Sequence, residues 1–174
     1  DFIFLCYLLG NDFLPHLPAL DVYNNGLDII LDKYTELLDN HNYKKFIISR
    51  TKKNIKINTE LFIELITYLG SEEEEILKNE HTNKRRYYKC NSTDPYDIEV
   101  HRIDNLQFKV DDPVQLGSDE SKLWKMRYYK HNFNINDSEI DNFKNKMIEE
   151  YLRGLSWVSK YYFDKCPSWT WHYP

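Results

Sequence analysis

The chain is poor in cysteine and lacks both a long apolar run and an excess of basic residues. Its three cysteines, Cys6, Cys90 and Cys166, share no spacing typical of a metal site, and their odd number argues against a disulfide framework. This cysteine usage favours an intracellular location. The apolar run Phe2–Leu9 is too short to cross a bilayer and lacks the flanks of a signal peptide. We therefore expect no membrane partner.

Basic residues are outnumbered: 23 lysines and arginines stand against 28 aspartates and glutamates, for a net charge of −5. Domains that bind nucleic acid by general electrostatics are usually basic, so the overall charge argues mildly against that class. Local charge can differ from the average. The stretch Tyr43–Lys56 carries six basic residues. It has two interpretations: a surface that faces RNA, or a solvated connecting loop with a short strand.

Aromatic side chains are abundant, at 16% of the chain, and 41% of all residues are hydrophobic. This composition is typical of a folded globular protein and not of a disordered one. With 174 residues, the chain is long enough for one ordinary domain with its own core.

Helical periodicity predicts most of the secondary structure. It indicates a helix over Val22–Leu38, an amphipathic helix over Thr59–Gly70 with Thr59 as its N-cap, and a further helix that starts at Ser71. A long last helix is predicted to begin after Asp137-Ser138-Glu139 and to run to Phe163. The segment Arg127–Phe133, in which arginine and tyrosine are interleaved, has two interpretations: a surface that contacts RNA by stacking and phosphate pairing, or a helix packed by its aromatic face, which is favoured.

Residues 88–113 have the composition of an insertion, with turn signals around Asp94-Pro95 and a weakly alternating stretch, Ile98–Ile103, that predicts an exposed strand. The acidic run Glu72–Glu75 is interpreted as a solvated helix face, because consecutive glutamates on a helix point in different directions. His101 and His131 have no potential ligand at a suitable offset, so we expect surface or structural roles for them.

The most informative stretch directly follows the apolar run. Gly10 and Asn11 are residues that end helices, and Asp12 then places one carboxylate at the end of an element expected to be buried on all sides, either a helix or a strand. One interpretation of Asp12 is an N-cap for the next element. The other is a metal ligand of a phosphodiester-cleaving enzyme. The full motif is Gly10-Asn11-Asp12-Phe13-Leu14-Pro15-His16-Leu17-Pro18.

This motif closely resembles a signature of the 5′→3′ exoribonuclease (Xrn) family, and more distantly the Gly-Ser-Asp-Tyr element of flap endonucleases. Further stretches resemble the same family in the same order along the chain. They are Gly26–Tyr34, Asp112–Gly117, Arg127–Phe133, Glu150–Tyr162 and Cys166–Pro174.

The resemblance implies a mainly α fold: a helical segment that packs against an α/β nuclease domain of the flap-endonuclease type, which this chain lacks. Residues 1–40 would be the C-terminal end of that nuclease domain, and residues 41–174 a helical middle domain. The opening inside an apolar run and the stop at Tyr173-Pro174, where the family motif would continue, lead us to expect truncation at both ends.

The resemblance also implies the chemistry. Asp12 matches the last aspartate of an acidic cluster that binds Mg²⁺, with Mn²⁺ as a possible substitute, and the neighbouring residues Gly10, Asn11, Phe13, Pro15 and His16 would support its position. The remaining metal ligands and the pocket for the 5′ phosphate would lie upstream. The implied substrate is single-stranded RNA with a 5′ monophosphate, and we expect this segment alone to be inactive.

Trp169 and Trp171 are the second candidate. In an extended chain, alternate side chains point to opposite sides, so one ring could stack on an RNA base while the other anchors in the core. Two core tryptophans are the competing interpretation, and the spacing does not distinguish the two residues.

Two other functions remain open at this stage: a non-catalytic RNA-binding or scaffold module with a decayed active site, and a flap-type nuclease specific for branched DNA. Pro-His-Leu-Pro after Asp12 argues against the flap type. The expected location is intracellular, with the cytoplasm favoured over the nucleus.

Overall fold

The computed structural model describes residues 1–51, 55–87, 90–104 and 112–173, with the backbone alone for residues 84–87. The prediction of a mainly α fold is confirmed. Six α-helices and one two-stranded sheet make up the regular structure of the described residues. They are α1 (Phe2–Cys6), α2 (Gly26–Asn40), β1 (Ile48–Arg50), β2 (Ile55–Ile57), α3 (Thr59–Tyr87), α4 (Pro95–Asp104), α5 (Ser121–Phe133) and α6 (Ile140–Phe163).

The chain divides into two compact units, one formed by Asp1–Glu72 with Asp141–Pro174 and the other by Glu73–Ile140. The predicted boundary at residue 40, where the nuclease domain would end, stays a prediction. None of the described helices is both long and apolar enough to cross a bilayer.

The first unit has one hydrophobic core to which α1, α2, the first half of α3 and the second half of α6 contribute. The apolar run at the start of the chain is helical, as α1 followed by a 3₁₀ turn over Tyr7–Leu9. The prediction that this run is buried on all sides is wrong for its first residues, since Phe2 and Ile3 are 55% and 51% exposed. Fully buried side chains of this core are Phe4, Leu5, Leu8, Leu14, Leu20, Ile30, Ile47, Leu61, Leu65, Leu155 and Val158.

Helix α2 confirms the prediction made for Val22–Leu38, although its first residues form a separate 3₁₀ turn, Val22–Asn24. The Asp21 carboxylate accepts a hydrogen bond from the backbone N–H of Tyr23 and thereby caps this turn. Asn25 then adopts a left-handed conformation (φ 59°) that redirects the chain into α2.

Helix α3 is continuous, so the predicted division at Gly70 is wrong. A glycine inside a helix costs only about 1 kcal/mol, which the ion pairs of the following glutamates help to offset. The N-cap is also Asn58 and not Thr59, because the Asn58 Oδ1 accepts from the backbone N–H of Leu61 at 3.3 Å.

Strands β1 and β2 are antiparallel, with Ile48 opposite Ile57, Ser49 opposite Lys56 and Arg50 opposite Ile55. They confirm the expected short strand within Tyr43–Lys56. Lys52 and Lys53, which belong to the same basic stretch, lie outside the described residues.

In the second unit, Ile98–Ile103 is part of α4, so the predicted strand is wrong. Local capping explains the helix: the Asp94 Oδ1 accepts from the backbone N–H groups of Tyr96 and Asp97, and Pro95 occupies the first helical position. These signals outweigh a weak alternation of apolar residues.

The start and end predicted for the last helix are confirmed. Asn136 and Glu139 form a capping box at the 3₁₀ turn Asp137–Glu139, and α6 follows directly and ends at Phe163. The apolar stripe of α6 brings Gly154, Leu155 and Val158 into the first unit, next to the motif around Asp12.

Candidate functional site

The residues Gly10–Leu17, here called the Asp12 turn, form a tight reversal after the 3₁₀ end of the first helix. Gly10 has φ +90°, and a Cβ atom at this position would lie 3.1 Å from the backbone nitrogen of His16. Only glycine combines this backbone conformation with so close an approach. The turn is closed by hydrogen bonds from the Asn11 N–H to the Leu14 carbonyl and from the Leu17 N–H to the carbonyl of Leu8, both at 2.9 Å.

The cap in this turn is Asn11 and not Asp12. The Asn11 Oδ1 accepts hydrogen bonds from the backbone N–H groups of Phe13 at 2.9 Å and Leu14 at 3.1 Å. No helix follows in which Asp12 could serve as N-cap, since the chain continues to Pro18 without regular structure. The N-cap interpretation of Asp12 is therefore wrong, because its neighbour already satisfies the free backbone donors.

The Asp12 side chain is exposed and forms no hydrogen bond or ion pair with the part of the chain that the structure describes. The backbone that carries this side chain is nevertheless held in place, because Asn11 and Phe13 on either side of it both make internal contacts. A carboxylate without an internal partner on a rigid turn is available for a cation or another external group.

The described residues do not form a metal site by themselves, because no three histidine, cysteine, aspartate or glutamate side chains among them are grouped closely enough to hold an ion. Asp12 fits one ligand of a Mg²⁺ site, since carboxylate oxygen is the donor that Mg²⁺ prefers. The other ligands would have to come from residues that do not belong to the described chain.

Aromatic side chains of α6 pack against the Asp12 turn. The Phe13 ring lies 5.0 Å from the ring of Trp157 and 5.1 Å from that of Tyr161, measured between centroids. The Tyr151 hydroxyl donates a hydrogen bond to the Pro15 carbonyl at 3.3 Å. The turn is therefore attached to α6 through the Phe13 ring and the Pro15 carbonyl.

His16 is exposed, and its Nδ1 lies 2.9 Å from the carbonyl oxygen of Leu17. This contact is satisfied when Nδ1 carries the proton, which leaves Nε2 as the acceptor nitrogen. Together with the close approach of its backbone to Gly10, this contact orients the ring at the edge of the Asp12 turn.

The two tryptophans near the end of the chain lie in different environments. Trp171 is partly buried against the core, with its ring 5.3 Å from that of Trp157 and its Cη2 3.0 Å from where a Cβ on Gly154 would lie. Trp169 is 86% exposed. Of the two rings, Trp169 alone is free to stack on an external base.

Sequence reasoning missed the role of Asp1. Its carboxylate accepts hydrogen bonds from the Tyr34 hydroxyl and from the backbone N–H groups of Ile47 at 2.8 Å and Ile48 at 2.7 Å. It thus joins α1, α2 and β1. No signal in the sequence indicates this role, since it depends on three separate segments meeting at the first residue.

The acidic run has the solvated role predicted for it. Within the first unit, Glu72 pairs with Lys33 at 2.7 Å, and within the second unit Glu74 pairs with Lys78 at 2.6 Å. The side chains of Glu72 and Glu74 are both partly exposed, as expected for a helix face in contact with solvent.

The Arg-Tyr-Tyr segment of α5 is used for packing within the second unit. Arg127 donates to the carbonyl of Val114 at 2.8 Å and forms two hydrogen bonds with the carboxylate of Asp119. This guanidinium holds the pKa of the Asp119 carboxyl below its usual range. The neighbouring ring of Tyr128 is half-buried, which raises its pKa. The structural interpretation of this segment is therefore favoured over RNA contact.

Comparisons with known proteins agree with the motif. The family model described as the Xrn1 helical domain matches residues 1–103 and 90–174. Similar curated proteins are a 5′-3′ exoribonuclease 2 homolog of Drosophila melanogaster and the 5′-3′ exoribonuclease 2 of Gallus gallus, each 24% identical over the whole of this chain. The chain spans 23% and 24% of these relatives, respectively.

A third relative, the 5′-3′ exoribonuclease 2 of Eremothecium gossypii, is 46% identical over 48 residues, which is 28% of this chain and 5% of that protein. Similarity is thus spread over the whole chain and is higher in a short part of it. Because the family model matches throughout, the chain belongs to the Xrn1 helical domain family.

Proposed function

We propose that the protein to which this chain belongs is a Mg²⁺-dependent 5′→3′ exoribonuclease that processively hydrolyses single-stranded, 5′-monophosphorylated RNA to nucleoside 5′-monophosphates. The curated relatives are exoribonucleases by name, and the chain covers about a quarter of their length. The observation that carries the proposal is the exposed carboxylate of Asp12, which has no partner among the described residues and lies on a turn held by Asn11 and Phe13.

In this proposal Asp12 supplies one carboxylate ligand to Mg²⁺, or to Mn²⁺ in its place. The metal would activate water and stabilise the leaving oxygen of the phosphodiester. Gly10 and Asn11 determine the backbone conformation at Asp12. Phe13 attaches the turn to α6 through its contacts with aromatic rings. The upstream nuclease domain of the same protein would provide the remaining ligands.

Trp169 is the residue we propose to contact RNA directly. Its ring is almost fully exposed, and stacking of a base on such a ring contributes about 1–3 kcal/mol. Trp171 would act indirectly, since its contacts with Trp157 and Gly154 fix the segment from which Trp169 projects.

The test compares the intact parent protein, wild type and Asp12→Ala, with Mg²⁺ on linear RNA that bears a 5′ monophosphate or a 5′ triphosphate. We expect the wild type to digest the monophosphorylated RNA selectively and Asp12→Ala to reduce the rate at least about a hundredfold, because a ligand of the catalytic ion is lost. The matched control is Asp141→Ala, which removes a carboxylate whose side chain is 96% exposed.

A loss of thermal stability in Asp12→Ala that the control does not share would attribute the lower rate to folding, so melting temperatures are measured alongside the rates. Full activity of Asp12→Ala would remove Asp12 from the metal site. An inactive wild type would favour a scaffold with a decayed active site, and a preference for branched DNA would favour a flap-type nuclease.

A further inference from the structure

The residues Tyr43–Lys56, here called the basic hairpin segment, have a charge opposite to that of the chain as a whole. The segment holds six of the 23 basic residues and no acidic one, in a chain with a net charge of −5. Four of its cations belong to the described residues, and all four are exposed: Lys44, Lys45, Arg50 and Lys56.

None of these four cations forms an ion pair with a residue that the structure describes. Several exposed basic residues elsewhere in the chain do pair with neighbouring carboxylates, as Lys78 does with Glu74 and Arg153 with Glu150. The charge of Lys44, Lys45, Arg50 and Lys56 is not neutralised by the described residues, and it is available to an external anion.

The backbone that presents these cations is firmly attached to the first unit. The Asp1 carboxylate binds the N–H groups of Ile47 and Ile48, and the Asn58 N–H donates to the Ile47 carbonyl at 2.7 Å. Ile47 is fully buried, whereas Lys56 lies on the exposed side of the hairpin. The described residues of the segment, 43–51 and 55–56, therefore form a preformed surface.

The Arg50 guanidinium has a fixed position as well. Its Nη2 donates to the Phe163 carbonyl, at the C-terminal end of α6, at 3.2 Å. One donor thus orients the side chain, and the remaining N–H groups are left to bind another acceptor.

The chain enters the segment through a strained turn. Asn42 and Tyr43 both adopt left-handed conformations, with φ of 51° and 54°, which is rare for a bulky residue such as tyrosine. The Tyr43 N–H donates to the Leu38 carbonyl at 2.9 Å, and its hydroxyl binds the Asp39 carboxylate. Backbone strain of this kind concentrates at functional positions.

Two aromatic rings accompany the cations. Tyr43 is 52% exposed and Phe46 is 53% exposed, and they flank Lys44 and Lys45 in the sequence. Phe46 is exposed although its neighbour Ile47 is fully buried, so its ring is directed away from the core. Lysines interleaved with exposed rings are the combination that binds single-stranded nucleic acid, by phosphate pairing and base stacking.

We propose that the described residues of the basic hairpin segment, 43–51 and 55–56, form an additional binding site for single-stranded RNA, with Lys44, Lys45 and Lys56 pairing with phosphates and Phe46 stacking on a base. The choice of RNA as the polyanion rests on the proposed exoribonuclease function. The site itself rests on charge, exposure and anchoring, and it involves neither Asp12 nor Trp169.

The test measures fluorescence anisotropy of a labelled single-stranded RNA with a 5′ hydroxyl, bound to the parent protein in EDTA so that no hydrolysis takes place. The variant carries Lys44→Gln, Lys45→Gln and Lys56→Gln. We expect the affinity to fall about tenfold at low salt, and the slope of log affinity against log salt to become shallower by about 2, since each phosphate contact on a single strand contributes about 0.7.

The matched control carries Lys122→Gln, Lys130→Gln and Lys146→Gln, which remove the same charge at exposed positions of α5 and α6. It is expected to keep the affinity and the slope. A separate Phe46→Ala variant should lose at least about fivefold in affinity with the salt slope unchanged, because it removes stacking and no charge.

Equal RNA affinity of the hairpin variant and the wild type overturns the proposal. It is also overturned if the variant binds RNA normally but loses binding to vesicles that contain anionic phospholipid, or if the control variant loses as much RNA affinity as the hairpin variant. Because the measurement requires no hydrolysis, failure of the exoribonuclease function would appear in the digestion assay and not here.

Discussion

The adjacent residues Asn11 and Asp12 have different roles, although both are common in turns. The Asn11 side chain accepts hydrogen bonds from the backbone N–H groups of Phe13 and Leu14, whereas the Asp12 carboxylate has no partner among the described residues. This difference in role depends on the turn, which requires Gly10, because its positive φ permits the close approach of His16. The conformation of the turn thus explains why the Asp12 carboxylate is exposed although its backbone is held in place.

The two tryptophans allow stability and RNA binding to be separated at the scale of single residues. Trp169→Ala removes an exposed ring, so we expect unchanged stability and a loss of RNA affinity of at least about fivefold. Trp171→Ala removes a ring packed on Trp157 and is expected to lower the free energy of unfolding by about 3 kcal/mol. Anisotropy in EDTA and urea unfolding check the two expectations, and a destabilising Trp169→Ala would contradict them.

Tyr7 provides a test by pH. Its hydroxyl is buried without a hydrogen-bond partner among the described residues, and burial, with a smaller effect of Tyr162, raises its pKa from 10 to about 12. The folded state thus favours the neutral phenol. The raised pKa thus contributes to the free energy of unfolding. This contribution is fully present below pH 10, and it is lost as the pH rises from 10 to 12.

We therefore expect Tyr7→Phe to reduce the alkaline loss of stability between pH 10 and 12, and to raise the free energy of unfolding at pH 7 by about 1 kcal/mol, because an unsatisfied buried hydroxyl is removed. Urea unfolding across this pH range is the measurement. The control is Tyr23→Phe, at a ring that is 94% exposed, which should change neither value. A less stable Tyr7→Phe at pH 7 would mean that the hydroxyl has a favourable partner.

At the scale of elements, two helical glycines have opposite surroundings. A Cβ at Gly154 of α6 would lie 2.5 Å from Cδ2 of the buried Leu14, whereas Gly70 of α3 has nothing within 4 Å. We expect Gly154→Ala to destabilise the chain by about 1–3 kcal/mol through overpacking. Gly70→Ala should stabilise it by about 0.5–1 kcal/mol. Thermal unfolding of both variants and of the wild type measures these changes. Stabilisation by Gly154→Ala would refute the tight contact between α6 and the Asp12 turn.

The elements also show what the sequence can predict. Periodicity located α2, although its start was placed at Val22 and not at Gly26, and periodicity with a start signal located α6. Both signals are local. Gly70 was a misleading break in α3, since a single glycine does not end a helix whose next turn continues to pack and pair. Ile98–Ile103 was misassigned because the capping by Asp94 outweighs a weak alternation of side chains. The difference between Trp169 and Trp171 was not predictable, because it depends on the distant residue Gly154.

At the scale of the whole molecule, the described residues present the proposed functional groups on the first unit. Asp12, Trp169 and the basic hairpin segment all belong to it, whereas the second unit uses its Arg-Tyr-Tyr segment for internal packing. The Asp12 turn, the hairpin and the segment around Trp169 are each attached to the same core, through Phe13, Ile47 and Trp171. The fold of this unit therefore acts as a rigid support for groups that face outward.

This arrangement predicts how activity is divided between this chain and its parent protein. A two-ion phosphodiester hydrolysis requires several carboxylates around the metal, and the described residues contain no group of three histidine, cysteine, aspartate or glutamate side chains that could hold an ion. We expect the 174-residue chain with Mg²⁺ to release no nucleotides from 5′-monophosphorylated RNA under conditions in which the parent digests it. Product analysis by gel and by chromatography of mononucleotides measures this difference. Hydrolysis by the isolated chain that Asp12→Ala abolishes would show that it holds a complete site.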